Sequence, residues 1–112
     1  LAGHLLEMCR GAGLSAHIAF DDIPRIPEAL IYLNEGCYPD GAFRNWKSCA
    51  DNVQGAGTME KMLFMADPQT SGGLLIAAEG AEVRAVLDNA GLPSTVIGRF
   101  ERAQGDATLY VE

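Results

Sequence analysis

Apolar residues fall at helical spacing at the start of the chain. Leu1, Leu5, Leu6, Met8 and Cys9 form a stripe, and Gly11 and Gly13 supply a stop, which predicts a helix over residues 1–10. His4 lies near this stripe and reads as a packed or boundary histidine. The period then changes to two. Ala16, Ile18 and Phe20 alternate with His17 and Ala19, predicting a strand over residues 15–20, and Asp21-Asp22 reads as its solvated end. Ile26, Ala29, Leu30 and Leu33 restore the i, i+3, i+4, i+7 rule. Pro27 suits a first helical position and Glu28 the positive end of the helix dipole, so a second helix is expected over residues 27–35, closed by Gly36.

Residues 37–57 show no clear period, and a structureless loop of about 20 residues inside a small domain is uncommon and often functional. Beyond it, Thr58 reads as the N-cap of a short helix over residues 58–66, with Met59, Met62 and Leu63 as its apolar stripe. Leu74 opens a short apolar run that predicts a buried strand over residues 74–78. The clearest helix covers residues 80–90, with Val83, Val86, Leu87 and Ala90 inside and Gly91 ending it. Residues 95–100 and 108–112 read as strands, and Gln104-Gly105-Asp106 between them suggests a hairpin. This order predicts an α+β fold, with helices packed on a four-stranded mixed or antiparallel sheet.

Composition narrows the picture. The chain has 112 residues, enough for one small domain over residues 1–112 with a modest core. It is 48% hydrophobic and 21% charged, a globular rather than a disordered balance. A formal net charge of −7 argues against a free-standing nucleic-acid binder and against docking on an anionic membrane. No apolar run approaches the ~20 residues a membrane-spanning helix needs. The chain opens at Leu1 inside a helical pattern, which suggests a piece of a longer protein. Cys9, Cys37 and Cys49 lack C-x-x-C spacing, so neither a zinc site nor a disulfide framework is expected, and a reduced cytoplasmic compartment fits best. Cys9 falls on the apolar stripe and should be buried, whereas Cys37 and Cys49 lie in loop-like sequence and should be exposed. No catalytic residue and no metal-ligand set is expected in the chain.

The candidate chemistry lies in two stretches. In Asp67-Pro68-Gln69-Thr70-Ser71-Gly72-Gly73-Leu74-Leu75, Asp-Pro starts a turn and two hydroxyls precede two glycines. Gly72 and Gly73 allow positive φ or the close approach of another group, and such a loop can hold an anion through backbone N–H groups. Thr70, Ser71, Gly72 and Gly73 are therefore candidate phosphate- or substrate-binding residues. The same glycines also read as a plain tight turn. No Lys follows them, so this is not a P-loop, and the glycine spacing is not that of a dinucleotide fingerprint. In Tyr38-Pro39-Asp40-Gly41-Ala42-Phe43-Arg44-Asn45-Trp46, Arg44 and Asn45 are candidates to hold a phosphate or carboxylate. The alternative is that Phe43 and Trp46 pin the segment to the core while Arg44 pairs with an acidic surface.

Three stretches together resemble the selenophosphate synthetase (selenide, water dikinase) family. They are Gly3-His4-Leu5-Leu6-Glu7-Met8, the segment from Pro39 to Trp46, and the run from Asp67 to Leu75, which matches the family pattern without a departure. In the second stretch Asp40 stands where the family has Gly, and Ala42 where it has Thr. The resemblance implies the C-terminal domain of a two-domain enzyme, with a fold like that of the aminoimidazole ribonucleotide synthetase C-terminal domain. It implies a reaction of selenide, ATP and water giving selenophosphate, phosphate and AMP, with Mg²⁺. ATP and Mg²⁺ would be bound mainly by an N-terminal domain that also carries the nucleophile and the essential Lys. The implied partners are that N-terminal domain and a second subunit of a full-length homodimer, with neither nucleic acid nor membrane. This chain alone would be inactive and would complete the interdomain cleft with Thr70, Ser71, Gly72, Gly73, Arg44 and Asn45. A non-catalytic phosphate- or nucleotide-binding module and a purely structural module are the alternatives.

Overall fold

A computed structural model describes residues 1–79 and 82–112 in full, and residues 80 and 81 by their place in a helix. The chain is an α+β fold in which helices pack on a four-stranded mixed sheet. Helix α1 (Ala2–Ala12) buries Ala2, Leu5, Leu6 and Cys9, and Gly13 ends it in the left-handed conformation at φ 69°, its N–H bonded to the Cys9 carbonyl. Strand β1 (Leu14–Ile18) follows, then a single 3₁₀ turn (Phe20–Asp22). Helix α2 (Pro27–Asn34) begins with its proline in the first turn. Helix α3 (Gly41–Cys49), a 3₁₀ turn (Ala50–Asn52) and the short strand β2 (Val53–Gln54) come next. Helix α4 (Met59–Met65) is capped by Thr58, whose hydroxyl accepts a 3.2 Å bond from the Lys61 N–H. Helix α5 (Gly80–Asn89) and strands β3 (Gly98–Arg102) and β4 (Leu109–Val111) complete the fold.

The strands lie in the order β2-β4-β1-β3. β1 pairs antiparallel with β3, Leu14 facing Arg102 and Ile18 facing Gly98. It pairs parallel with β4, Ala16 facing Leu109 and Ile18 facing Val111. β2 joins the other side of β4 in parallel, Val53 facing Leu109. Because successive side chains alternate across a sheet, Ala16, Ile18, Leu109 and Val111 share one face. All four are buried, with Leu5, Leu6, Cys9, Phe20 and Met65 in the same cluster. Each fully buried Leu contributes about 1.5–3 kcal/mol relative to exposure. His17 and Tyr110 occupy the opposite face, where their rings stack at 4.5 Å.

Four expectations need correction. The period-free stretch at residues 37–57 holds α3 and β2. Its helical signal, Ala42, Trp46 and Cys49 at i, i+4 and i+7, is diluted by the polar residues between. Residues 74–78 belong to no strand, and Leu74 is 91% exposed. The place of the expected strand in the sheet is taken by β2. The hairpin is also absent, because β1 lies between β3 and β4. The connection is held across β1 instead: Ala103 N–H donates to the Gly13 carbonyl, and Thr108 N–H donates to the Ser15 hydroxyl. Finally, of the four apolar residues expected inside α5, Val83 and Leu87 are half-buried, whereas Val86 and Ala90 are exposed.

Candidate functional site

The two candidate stretches are brought together by the packing of α3 on the end of α4. Asn45 projects from α3 and donates its amide N–H to the Ala66 carbonyl at 3.0 Å. One turn earlier, a Cβ at Gly41 would lie 3.1 Å from Pro68 Cγ, so glycine lets the start of α3 close on the Asp-Pro turn. The loop beyond is folded on itself. Gln69 donates its amide to the Asp67 carboxylate at 3.0 Å, and its Oε1 lies over Gly72, where a Cβ would come within 2.7 Å. Gly72 and Gly73 do not adopt positive φ, correcting one of the two reasons for expecting glycine there. At Gly72 the nearest atom belongs to the exposed end of the Gln69 side chain, which can shift, so close approach places only a mild demand on that position.

This loop forms one wall of a cleft of about 770 Å³. Asp67, Gln69, Thr70, Gly72 and Gly73 line it from the loop, and Asn45, Ser48 and Cys49 from α3. Leu1, Gly3, His4 and Glu7 line it from α1. Ile23, Phe64 and Ile97 add apolar side chains to the lining. Of the expected site residues, Thr70, Gly72, Gly73 and Asn45 therefore share the cleft, whereas Ser71 and Arg44 are exposed and do not line it. Phe43 and Trp46 divide in the same way. Trp46 packs against the core, and Phe43 stays 47% exposed with its ring edge-on to Tyr38.

Sequence reasoning missed the contribution of α1. His4 and Glu7 are one turn apart, the spacing that places two side chains on one helix face, and that face borders the cleft. Cys49 was expected to be exposed but is buried, because the helix it ends turns its thiol inward. Its Sγ lies 3.4 Å from the Asn45 and Trp46 carbonyls. Burial pushes the Cys49 thiol up, and that of Cys9 likewise, which disfavours a reactive thiolate at either. Among the described residues no group of three or more His, Cys, Asp or Glu converges as a metal site. The cleft thus offers hydrogen-bond donors, hydroxyls and apolar side chains, with Glu7 and Asp67 as the acidic residues of its lining.

A mixed sheet covered on one face by helices, with a glycine-containing turn lining a cleft beside the first helix, defines the class of protein. Residues 1–110 match the family model for the AIR synthase related protein, C-terminal domain, and the chain belongs to that family. Within it, the chain is 41% identical to a selenide, water dikinase of Aeromonas hydrophila and 46% identical to one of Shewanella sp. (strain W3-18-1), each over 99% of its own length. A selenide, water dikinase of Shewanella baltica is 43% identical over the same share. The chain spans about a third of the length of these relatives, 33% of the Aeromonas protein and 32% of the others.

Proposed function

We propose that the chain is the C-terminal domain of a cytoplasmic selenide, water dikinase, which converts selenide, ATP and water into selenophosphate, AMP and phosphate. The single observation that carries this reading is identity of 41–46% to proteins of that name along 99% of the chain. In this reading the chain is inactive alone. The N-terminal domain binds ATP and Mg²⁺, and the full-length protein is a homodimer. Phosphoryl transfer needs positioning and neutralisation of charge. The cleft described here supplies the first through Asn45, Thr70, Gly72 and Gly73, and its lining has little means of supplying the second. Arg44 and Ser71, exposed beside the cleft, would meet substrate or the N-terminal domain only across the domain interface.

The test is a chimera that joins this chain to the N-terminal two-thirds of the Aeromonas hydrophila relative, assayed for selenide-dependent formation of AMP and selenophosphate by phosphorus NMR. Activity in the chimera, and none in either part alone, is the expected result. A folded chimera without activity would reject the dikinase reading. Turnover by the chain alone would reject its dependence on a second domain.

The absence of Lys and Arg from the described cleft lining favours a second reading, that the domain orients the catalytic half without touching phosphate. Thr70→Ala combined with Ser71→Ala in the active chimera separates the two. Unchanged turnover supports the structural role, and a large fall with intact folding supports contact.

A further inference from the structure

We infer that in the full-length protein the cleft receives a β-strand from the chain just upstream of Leu1, laid beside residues 74–78 so that these become a strand as well. The inference rests on reading this chain as the C-terminal part of a longer protein, and it names the segment that covers the exposed apolar side chains of residues 74–78.

Residues 74–78 carry a strand's sequence without a strand's partner. Leu74-Leu75-Ile76 is an apolar run of the kind a buried strand needs, yet Leu74 and Ile76 are exposed. Among the described residues, no backbone hydrogen bond involves residues 72–78. A run of free N–H and C=O groups is a template for an added strand. The lack of cover is local. Five of the ten large apolar side chains exposed among the described residues, Leu74, Ile76, Val86, Leu92 and Val96, fall within residues 74–96. Room for a strand lies alongside. Leu74 and Leu75 line the cleft of about 770 Å³ together with Leu1, Gly3 and Ile97, and a Cβ at Gly73 would meet nothing within 4 Å. Leu1 fixes where the strand comes from. Its side chain packs against the core, and its amino group lies near Cys49 and Asp67 of the lining. Burial holds that amino group below its ordinary pKa, and those two groups oppose the shift. Residues joined to it start inside the cleft and, at about 3.8 Å between successive Cα atoms, the first few run through it. The chain spans 33% of the Aeromonas relative, and its family is that of a C-terminal domain, which leaves most of the remainder to precede Leu1. A second copy of the chain would compete with that segment for the same space, so the protein's own segment is the occupant.

The test is hydrogen exchange in the chimera with the N-terminal two-thirds of the Aeromonas relative, read by mass spectrometry on peptides covering residues 74–78 and, as reference, residues 14–18 of β1. The expected result is exchange at residues 74–78 slowed roughly 100-fold relative to the 112-residue chain, with β1 protected in both. In a second chimera the ~10 residues before Leu1, enough for one strand, are replaced by a Gly-Ser linker of equal length. There residues 74–78 should return to fast exchange while β1 stays protected. Retained protection in the linker chimera would overturn the inference, because another surface then covers these residues. Protection in the 112-residue chain by itself, as a monomer or as a dimer of two copies, would overturn it too. A chimera that makes selenophosphate while residues 74–78 exchange freely would overturn the strand and leave the proposed function in place. A folded chimera that exchanges slowly at residues 74–78 but is inactive would reject the dikinase reading and support the strand.

Discussion

Asn45→Ala separates the structural work of the second stretch from its supposed chemistry. The Asn45 amide is the polar bond between α3 and the end of α4, and its acceptor belongs to a residue only 3% exposed. Removing it deletes one hydrogen bond and leaves the Ala66 carbonyl with one partner fewer. A typical bond contributes about 1 kcal/mol net, and stranding a buried acceptor costs about 1–3 kcal/mol. Ala66 lines the cleft and sits at the end of α4 rather than in its middle, so about 1–2 kcal/mol is expected. For a chain of this size, that corresponds to a fall in Tm of roughly 4–9 °C. Asn45→Asp should cost more, because a carboxylate oxygen would then face the carbonyl oxygen. Arg44→Ala, on an exposed side chain, should stay within about 0.5 kcal/mol. Urea unfolding followed by the fluorescence of Trp46 reads all three. If Arg44→Ala proves as costly as Asn45→Ala, or if Asn45→Asp is harmless, the account of how the two stretches are joined is wrong.

Other outcomes follow from single residues. Gly55 has φ 84°, and a Cβ there would run into the Val111 carbonyl, so Gly55→Ala should cost more than about 2 kcal/mol and loosen the β2–β4 pairing in amide exchange. His17 Nδ1 lies 2.8 Å from Glu112 Oε1, and its Nε2 lies 2.9 Å from Glu101 Oε1 at an angle too poor for a hydrogen bond. Glu101 first, then Glu112, hold the imidazole above its ordinary pKa, so the stability it adds is complete below the unfolded histidine value and is lost as pH rises through the folded one. Glu112 is held below its ordinary value chiefly by His17, so its part is present above the unfolded carboxylate value and lost as pH falls through the folded one. A urea midpoint measured against pH should therefore fall on both sides of a plateau, and His17→Gln should remove the alkaline fall. Cys37 is exposed and Cys9 and Cys49 are buried, so a thiol reagent should label Cys37 first and the others only on unfolding, counted by mass spectrometry.

Legibility followed the strength of local signals. α1 and α4 were readable because an apolar stripe, a cap and a stop coincide in each, down to the Thr58 hydroxyl that caps α4. The partners of each strand were not readable, since period two says which face is buried and nothing about which neighbour lies alongside. That is why residues 98–102 and 109–111 looked like a hairpin, although β1 runs between them. In the cleft, the loop was visible through its turn chemistry and glycines. The α1 wall was not, because a polar pair one turn apart, His4 and Glu7, looks the same whether it borders a cleft or faces open solvent. The expectation for α5 was met only in part: its period is helical, but of its apolar face Val83 and Leu87 are half-buried while Val86 and Ala90 are exposed.

The strand order has a consequence for synthesis. β1 is made early, yet its parallel neighbour is β4, whose residues 109–111 are made almost a hundred positions later, and β2 has no sheet partner other than β4. On a ribosome, which extends and folds a chain from its N-terminal end, the sheet must wait for its middle strand until nearly all of this sequence has emerged. Until then the apolar edge of β1 and the faces of α1 and α4 stand uncovered, which makes the nascent chain, rather than the finished one, the form most in need of a chaperone.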